Sequence, residues 1–267
     1  MTKKQIKRII QVLLLMGTFV SMFFVPWIII KIWLTPLPDT VQEQVNKTVD
    51  YGFDGVIVYV NQKGKEPQFY AAGLKSRKDS IPADPHSLFK LASISKLYNA
   101  VAIAKLVNDG KLSLDKTLAD YMPELVGRIE YADQITLRMM VKHRSGIPNY
   151  TDINNYWAHP KESNEENLKL VLDLPAKFNP GKRYQYSNTN YLLLSEIMDR
   201  VLGYPHFEYI RERILDRLHL KNTFAGLSEV NIDDVMSGYY VGYPHDLKTE
   251  KMGMLATAED VGIFLRA

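Results

Sequence analysis

Ile9 to Ile30 is a run of 22 residues without a single charge. A bilayer core offers no water to backbone N–H and C=O groups, so a run like this must close its hydrogen bonds internally, as a helix. At about 1.5 Å per residue it would be about 33 Å long, enough for a hydrocarbon core of about 30 Å. Lys3, Lys4, Lys7 and Arg8 precede it, which places residues 1–8 in the cytoplasm and exports the chain beyond the run. A cleaved signal peptide is the competing reading. The run is longer than a signal core, however, and Trp27 to Trp33 offers no small-residue cleavage site, so an uncleaved membrane anchor over residues 9–30 is favoured. Residues 31–47 then read as a linker, with Trp27 and Trp33 suited to the outer interface and Lys31 snorkelling.

Composition limits what the exported part, residues 48–267, can be. The first 38 residues hold five of the 33 basic residues and none of the 30 acidic ones, so the net +3 leaves a formal −2 for the rest. No basic face for nucleic acid is called for. A hydrophobic fraction of 46% with evenly spread charge describes a globular core, with room for one sizeable domain beside the anchor. The absence of cysteine excludes disulfides, thiol catalysis and a lipid-linked cysteine together. The six histidines form no His-Glu-x-x-His spacing, and there is no Gly-x-Ser-x-Gly elbow. Neither a metallohydrolase nor an α/β-hydrolase triad is indicated, and no cofactor is implied.

Ser93-Ile94-Ser95-Lys96 opens an apolar helical pattern through Leu97, Ala100, Val101, Ala104 and Val107, which stops at Gly110. The lysine at i+3 shares a helix face with the serine. A serine hydroxyl is a poor nucleophile until a neighbouring base takes its proton, and this spacing supplies one. The tetrad alone is weak: Ser87…Lys90 and Ser113…Lys116 repeat it, and Tyr186-Ser187-Asn188 has a rival in Tyr59-Val60-Asn61. Context selects Ser93. Ser113 lies beyond a helix end, Ser87 sits in a loop composition and Tyr59 falls in a strand pattern.

Further segments point the same way. Phe89 to Lys96, Gly110 to Asp115, Tyr121-Met122-Pro123-Glu124-Leu125, His143-Arg144-Ser145-Gly146-Ile147-Pro148, Asn179-Pro180-Gly181 to Asn188, and Gly253 to Asp260 form an ordered set. It resembles the serine β-lactamase and penicillin-binding protein superfamily, in the branch of class C β-lactamases, D,D-carboxypeptidases and related esterases. Arg144 departs from the threonine usual there. The resemblance implies an α/β fold, an antiparallel sheet flanked by helices plus an all-helical region. It also implies an enzyme of the bacterial cell envelope. Its substrates would be D-alanyl peptides of peptidoglycan, β-lactams, or D-alanyl and simple esters. A non-catalytic envelope protein that binds wall fragments is the reading from another class. Nothing in the sequence fixes an oligomeric state.

The roles implied are Ser93 as nucleophile, Lys96 as proton acceptor, and Tyr186 as relay or base. Asn188 would hydrogen-bond the substrate amide or Lys96, and Tyr150 would line the cleft. Burial and the helix dipole are expected to disfavour a charged Lys96. The Ser93 N–H would supply half of an oxyanion hole. His143 reads first as a structural histidine at a helix end. The family's third motif, Lys- or His-Thr-Gly on a late strand, is not found in this chain. The expectation is therefore a chain cut short of the C-terminal strands.

The exported part is expected to carry a helix over Val41–Tyr51 and a hairpin of Gly55–Val60 with Pro67–Ala72. A helix over Ser93–Asp109, buried on most sides, should come next. Helices are expected at Leu137–His143, Glu165–Leu172, Asn188–Leu202 and Phe207–Leu218, with a capping box at Thr257…Asp260.

Overall fold

The computed structural model describes residues 2–159, 161, 163–239, 246–249 and 253–267, and the chain divides into two compact units, Met1–Gln44 and Val45–Ala267. In the first unit, α1 (Lys3–Met22) starts at a capping box formed by Thr2 and Gln5, and α2 (Trp27–Leu34) comes after it. By length and composition α1 could cross a membrane. The single helix expected over Ile9–Ile30 is not what forms. The run breaks between Met22 and Trp27 because Pro26 has no N–H and its ring clashes with the carbonyl four residues back. That carbonyl, of Met22, is recovered by the indole of Trp27, whose Nε1 donates to it at 2.9 Å.

After the linker, α3 (Val41–Asp50) leads into β1 (Gly55–Val60), which pairs antiparallel with β2 (Gln68–Ser76) from Gly55↔Gly73 to Val60↔Gln68. A short β3 (Ile81–Pro82) continues the sheet beside β2. A second small antiparallel sheet, ordered β4–β6–β5, joins β4 (Phe89–Lys90), β5 (Thr223–Phe224) and β6 (Leu255–Ala256).

Helices flank these sheets. They are α4 (Ser95–Asn108), α5 (Leu118–Tyr121), α6 (Leu137–Val141), α7 (Asn164–Lys169), α8 (Asn188–Leu202), α9 (His206–Ile210) and α10 (Ala258–Arg266). The core is mainly helical. Ile103 and Leu106 of α4 meet Leu193, Leu194, Ile197 and Met198 of α8, all essentially inaccessible, and each such side chain contributes about 1.5–3 kcal/mol by leaving water. The Tyr98 ring stacks on Phe264 of α10, 3.8 Å between centroids.

Local chemistry sets the element ends. α8 stops where Gly203 takes φ 77, a left-handed cap that costs glycine nothing. α6 ends two residues sooner than the pattern predicts, because His143 turns to φ 53. The Phe207–Leu218 helix is α-helical only to Ile210 and widens into a π-turn over Arg211–Leu215. At Thr257 half of the expected capping box forms: Thr257 Oγ1 accepts from Asp260 N. The Asp260 carboxylate turns instead to Asn222 N and Thr223 Oγ1, both at 2.8 Å. Burial on most sides of α4 is also corrected. Tyr98, Asn99, Ala102, Ile103 and Leu106 are buried, but Leu97 and Val101 on the other face are 45% and 37% exposed.

Candidate active site

Ser93 sits in a 3-10 turn, Ala92–Ile94, that feeds directly into α4. Ala92 has φ 45, a left-handed conformation that costs a Cβ-bearing residue about 1–2 kcal/mol. Neighbours hold the turn: Leu91 N donates to Met254 O at 2.9 Å, and Ser95 Oγ donates to Ala92 O at 2.6 Å. One helical turn on, Lys96 Nζ donates to Ser93 Oγ at 3.2 Å.

Tyr186 arrives from the other side of the domain, and His143 brings it. The His143 carbonyl accepts from Gln185 N at 2.9 Å, and its Nδ1 accepts from Ser187 N at 3.2 Å. The residues on both sides of Tyr186 are thus tied to one histidine. Since Nδ1 is an acceptor there, the imidazole is neutral with its hydrogen on Nε2. Burial, then the Lys96 charge, lowers the His143 pKa, which agrees with that form. The loop before Tyr186 is also tied to residues 144–151. Arg144 and Gly181 exchange two bonds: Arg144 Nη2 donates to Gly181 O, and Gly181 N donates to Arg144 O, each at 2.8 Å. This gives the departure from threonine at Arg144 a structural use. Buried Thr189 donates to Pro148 O at 2.7 Å and accepts from Tyr150 N. Gly146 (φ 84) has no room for a side chain, because a Cβ would lie 2.1 Å from Phe178 O.

The result is a compact cluster. Ser93 Oγ and the Tyr186 hydroxyl are 2.7 Å apart, and the Tyr186 hydroxyl donates to Asn188 Oδ1 at 3.2 Å. Lys96 Nζ lies 5.3 Å from the Tyr186 ring centroid and 5.9 Å from that of Tyr191, within cation–π range. Ser93, Lys96, Tyr186 and Asn188, drawn from two segments 93 residues apart, therefore meet. The enclosure expected around them is only partial: Ser93 and Tyr186 are exposed and Lys96 is half-buried. Asn188 does not reach Lys96. Its Nδ2 is committed to Asn149 Oδ1 and Thr151 Oγ1, each at 3.2 Å.

Tyr150 stands at the edge, half-buried, with its ring 5.4 Å from Tyr156. Burial, then the neighbouring Tyr186, pushes its phenol up. The rival motifs stay apart from this cluster. Ser87 is buried in a turn, and the Tyr59 hydroxyl in β1 accepts from Asn61 Nδ2. Sequence reasoning missed Asn149, Thr189 and Asn190 as members of the site. For Thr189 and Asn190 the signal was a pair of polar residues at the start of an apolar helix, both fully buried.

A serine oxygen within hydrogen-bond reach of an amine and a phenol is equipped for nucleophilic acyl transfer. Residues 37–267 match the family described as Beta-lactamase. The chain belongs to that family. Within it, the chain is 26% identical over 199 residues to "Protein flp" of Staphylococcus aureus (strain N315), covering 71% of this chain and 39% of that protein. It is 28% identical over 216 residues to "Penicillin-binding protein 4*" of Bacillus subtilis (strain 168), covering 78% and 44%. The chain thus spans about two fifths of the length of these curated relatives. Among solved structures it superposes on the D-amino acid amidase of Ochrobactrum anthropi SV3 with a TM-score of 0.73 and 27% identity, over 85% of this chain and 68% of that one. A serine-hydrolase or amidase-like activity fits this beta-lactamase-family fold.

Proposed function

We propose that this protein is a membrane-anchored acyl-serine hydrolase of the bacterial cell envelope, in the branch of class C β-lactamases, D,D-carboxypeptidases and esterases. Its substrates are D-alanyl peptides, β-lactams, or D-alanyl and simple esters. One observation carries the reading: Ser93 Oγ lies 2.7 Å from the Tyr186 hydroxyl and 3.2 Å from Lys96 Nζ. Ser93 Oγ attacks the carbonyl carbon and loses its proton to a neighbouring base. The tetrahedral oxyanion collapses, the leaving group departs with a proton, and an acyl-enzyme remains for water to cleave. The Ser93 N–H serves the oxyanion. Tyr150 and its aromatic neighbour Tyr156 form the wall on which an acyl side chain rests. The anchor reading rests on α1 and its basic first turns.

Intact-mass measurement on the full-length protein tests this, with benzylpenicillin and 4-nitrophenyl acetate as acyl donors. A Ser93-dependent adduct with penicillin is expected. Ester hydrolysis without that adduct moves the assignment to esterase. No adduct and no hydrolysis overturns it in favour of a binding protein.

A further inference from the structure

The direction of every hydrogen bond behind Tyr186 is set by two groups whose chemistry leaves no choice. The backbone N–H of Asn188 can only donate, and it points at one side-chain atom of Asn149 at 2.9 Å. That atom is therefore the amide oxygen. The other end of the same amide lies 2.7 Å from an Asp152 carboxylate oxygen and 2.7 Å from Thr151 Oγ1. An ionised carboxylate can only accept, so this end is the NH2. Asn149 is 8% exposed and held at both ends, so its amide is fixed in one sense.

The consequence passes along the chain of contacts. The atom of Asn188 that meets Asn149 Oδ1 at 3.2 Å must be Nδ2, so Asn188 turns its carbonyl oxygen toward Tyr186. A carbonyl cannot donate. The 3.2 Å contact between Tyr186 and Asn188 then uses the phenolic hydrogen, and Ser93 must be the donor in its 2.7 Å contact with Tyr186. A Tyr186 phenolate would face the Asn188 carbonyl with no hydrogen between them.

Resting on the acyl-serine reading above, we infer that Asn149 is a positioning residue that holds Asn188 carbonyl-first toward Tyr186 and keeps Tyr186 a phenol, so that the base that takes the Ser93 proton is Lys96 once it has lost its own. As the Ser93 Oγ–carbon bond forms, the Ser93 hydroxyl turns from Tyr186 to the deprotonated Lys96 Nζ, its proton passes there, and the carbonyl electron pair moves to oxygen. On collapse the leaving group takes a proton from the Tyr186 hydroxyl, and the Lys96 ammonium replaces it. The phenol ends as it began. Asn149 touches none of the reacting atoms and acts only through Asn188.

The test reads the Tyr186 hydroxyl directly. The full-length protein, labelled with 13C at tyrosine Cζ, is titrated by NMR, and the Tyr186 signal is assigned by its loss in Tyr186→Phe. The groups that face Tyr186 and are common to all variants are Lys96, His143, Tyr150 and Tyr191, with Asp152 beyond Asn149. In Asn149→Leu, the amide of Asn188 keeps only Thr151 Oγ1, a hydroxyl that can donate as well as accept. Asn188 can then turn its NH2 to Tyr186, which should ionise at least about one pH unit lower than in wild type, a tenfold change in the equilibrium. In Asn149→Asp, one oxygen still accepts both Asn188 donors while the other shares a proton with the Asp152 carboxylate, and Tyr186 should titrate no lower than in wild type. An unchanged Tyr186 midpoint in Asn149→Leu overturns the inference, as does an equal drop in both variants.

Ester acylation of Ser93 is measured alongside. Asn149→Leu should slow it about tenfold or more, somewhat below what positioned proton transfer contributes in full, with KM unchanged. It should have little further effect in the Tyr186→Phe background. A wild-type protein that is never acylated removes the acyl-serine reading itself. A wild type that is acylated, with an additive Asn149→Leu effect, removes only the role of Asn149.

Discussion

The imidazole of His143 lies against the phenol of Tyr186, with 4.5 Å between centroids and 30° between planes, while its Nδ1 and carbonyl hold the peptide on either side. This contact needs the neutral ring. Burial and Lys96 lower the His143 pKa below 6.5 in the folded protein, so the unfolded chain binds more protons in that range. By linkage, stability is intact above about pH 6.5 and is lost as pH falls from there toward the folded value. Urea midpoints at about pH 7.5 and about pH 5.5 should therefore separate more in wild type than in His143→Asn, where an amide oxygen replaces Nδ1. Equal separations would remove His143 as the cause.

Ser93→Ala should abolish acyl-adduct formation without moving the melting temperature, because Ser93 is exposed and its side chain fills no core space. Lys96→Ala should reduce the acylation rate by about 10²–10⁴-fold, the range associated with positioned acid–base groups. Stopped-flow release of nitrophenol checks both. Full burst amplitude in Ser93→Ala would place the nucleophile elsewhere.

Gly146→Ala introduces two separate penalties. The new Cβ would meet Phe178 O at 2.1 Å, and the backbone stands at φ 84. A destabilisation of about 2 kcal/mol or more is expected, read as a lower denaturant midpoint. The substitution should also slow acylation, since the same loop holds Tyr186. A variant as stable as wild type would mean that the loop shifts freely.

Residues 39–267 prepared alone should bind a hydrophobic dye and self-associate. Ile94, Leu97 and Val101 are 41%, 45% and 37% exposed. An apolar groove of about 520 Å³ is lined by Ile57, Tyr59, Phe89, Ile94, Val261 and Leu265. Among the described residues β1 pairs on one side only, which adds an open edge. A monomeric, dye-silent preparation with a sharp cooperative melt would count against this.

Much of the domain was legible because its signals are local. Gly203 ends α8 just after Leu202, where the helix was expected to stop, and the apolar run Gly55–Val60 forms β1. Ser93 and Lys96 were readable from one helical turn. Tyr186 was readable only through its flanking residues, since no periodicity in the sequence tells that residues 93 apart will touch. Pro26 was in plain view within the apolar run, yet hydropathy outweighed the missing N–H. Asn149 was invisible for another reason. Its importance lies in which end of an amide faces which neighbour, and the surrounding loops must be in place before that question exists.

Ala92 bends the wrong way for an alanine. Glycine would relax the bend, so removing one methyl should make the chain sturdier and the serine looser. The segment ahead of Ser93 acts as a set spring, latched through Leu91 to Met254. Disturbance of that distant latch should reach the nucleophile by backbone alone, without any side chain of the cluster being altered.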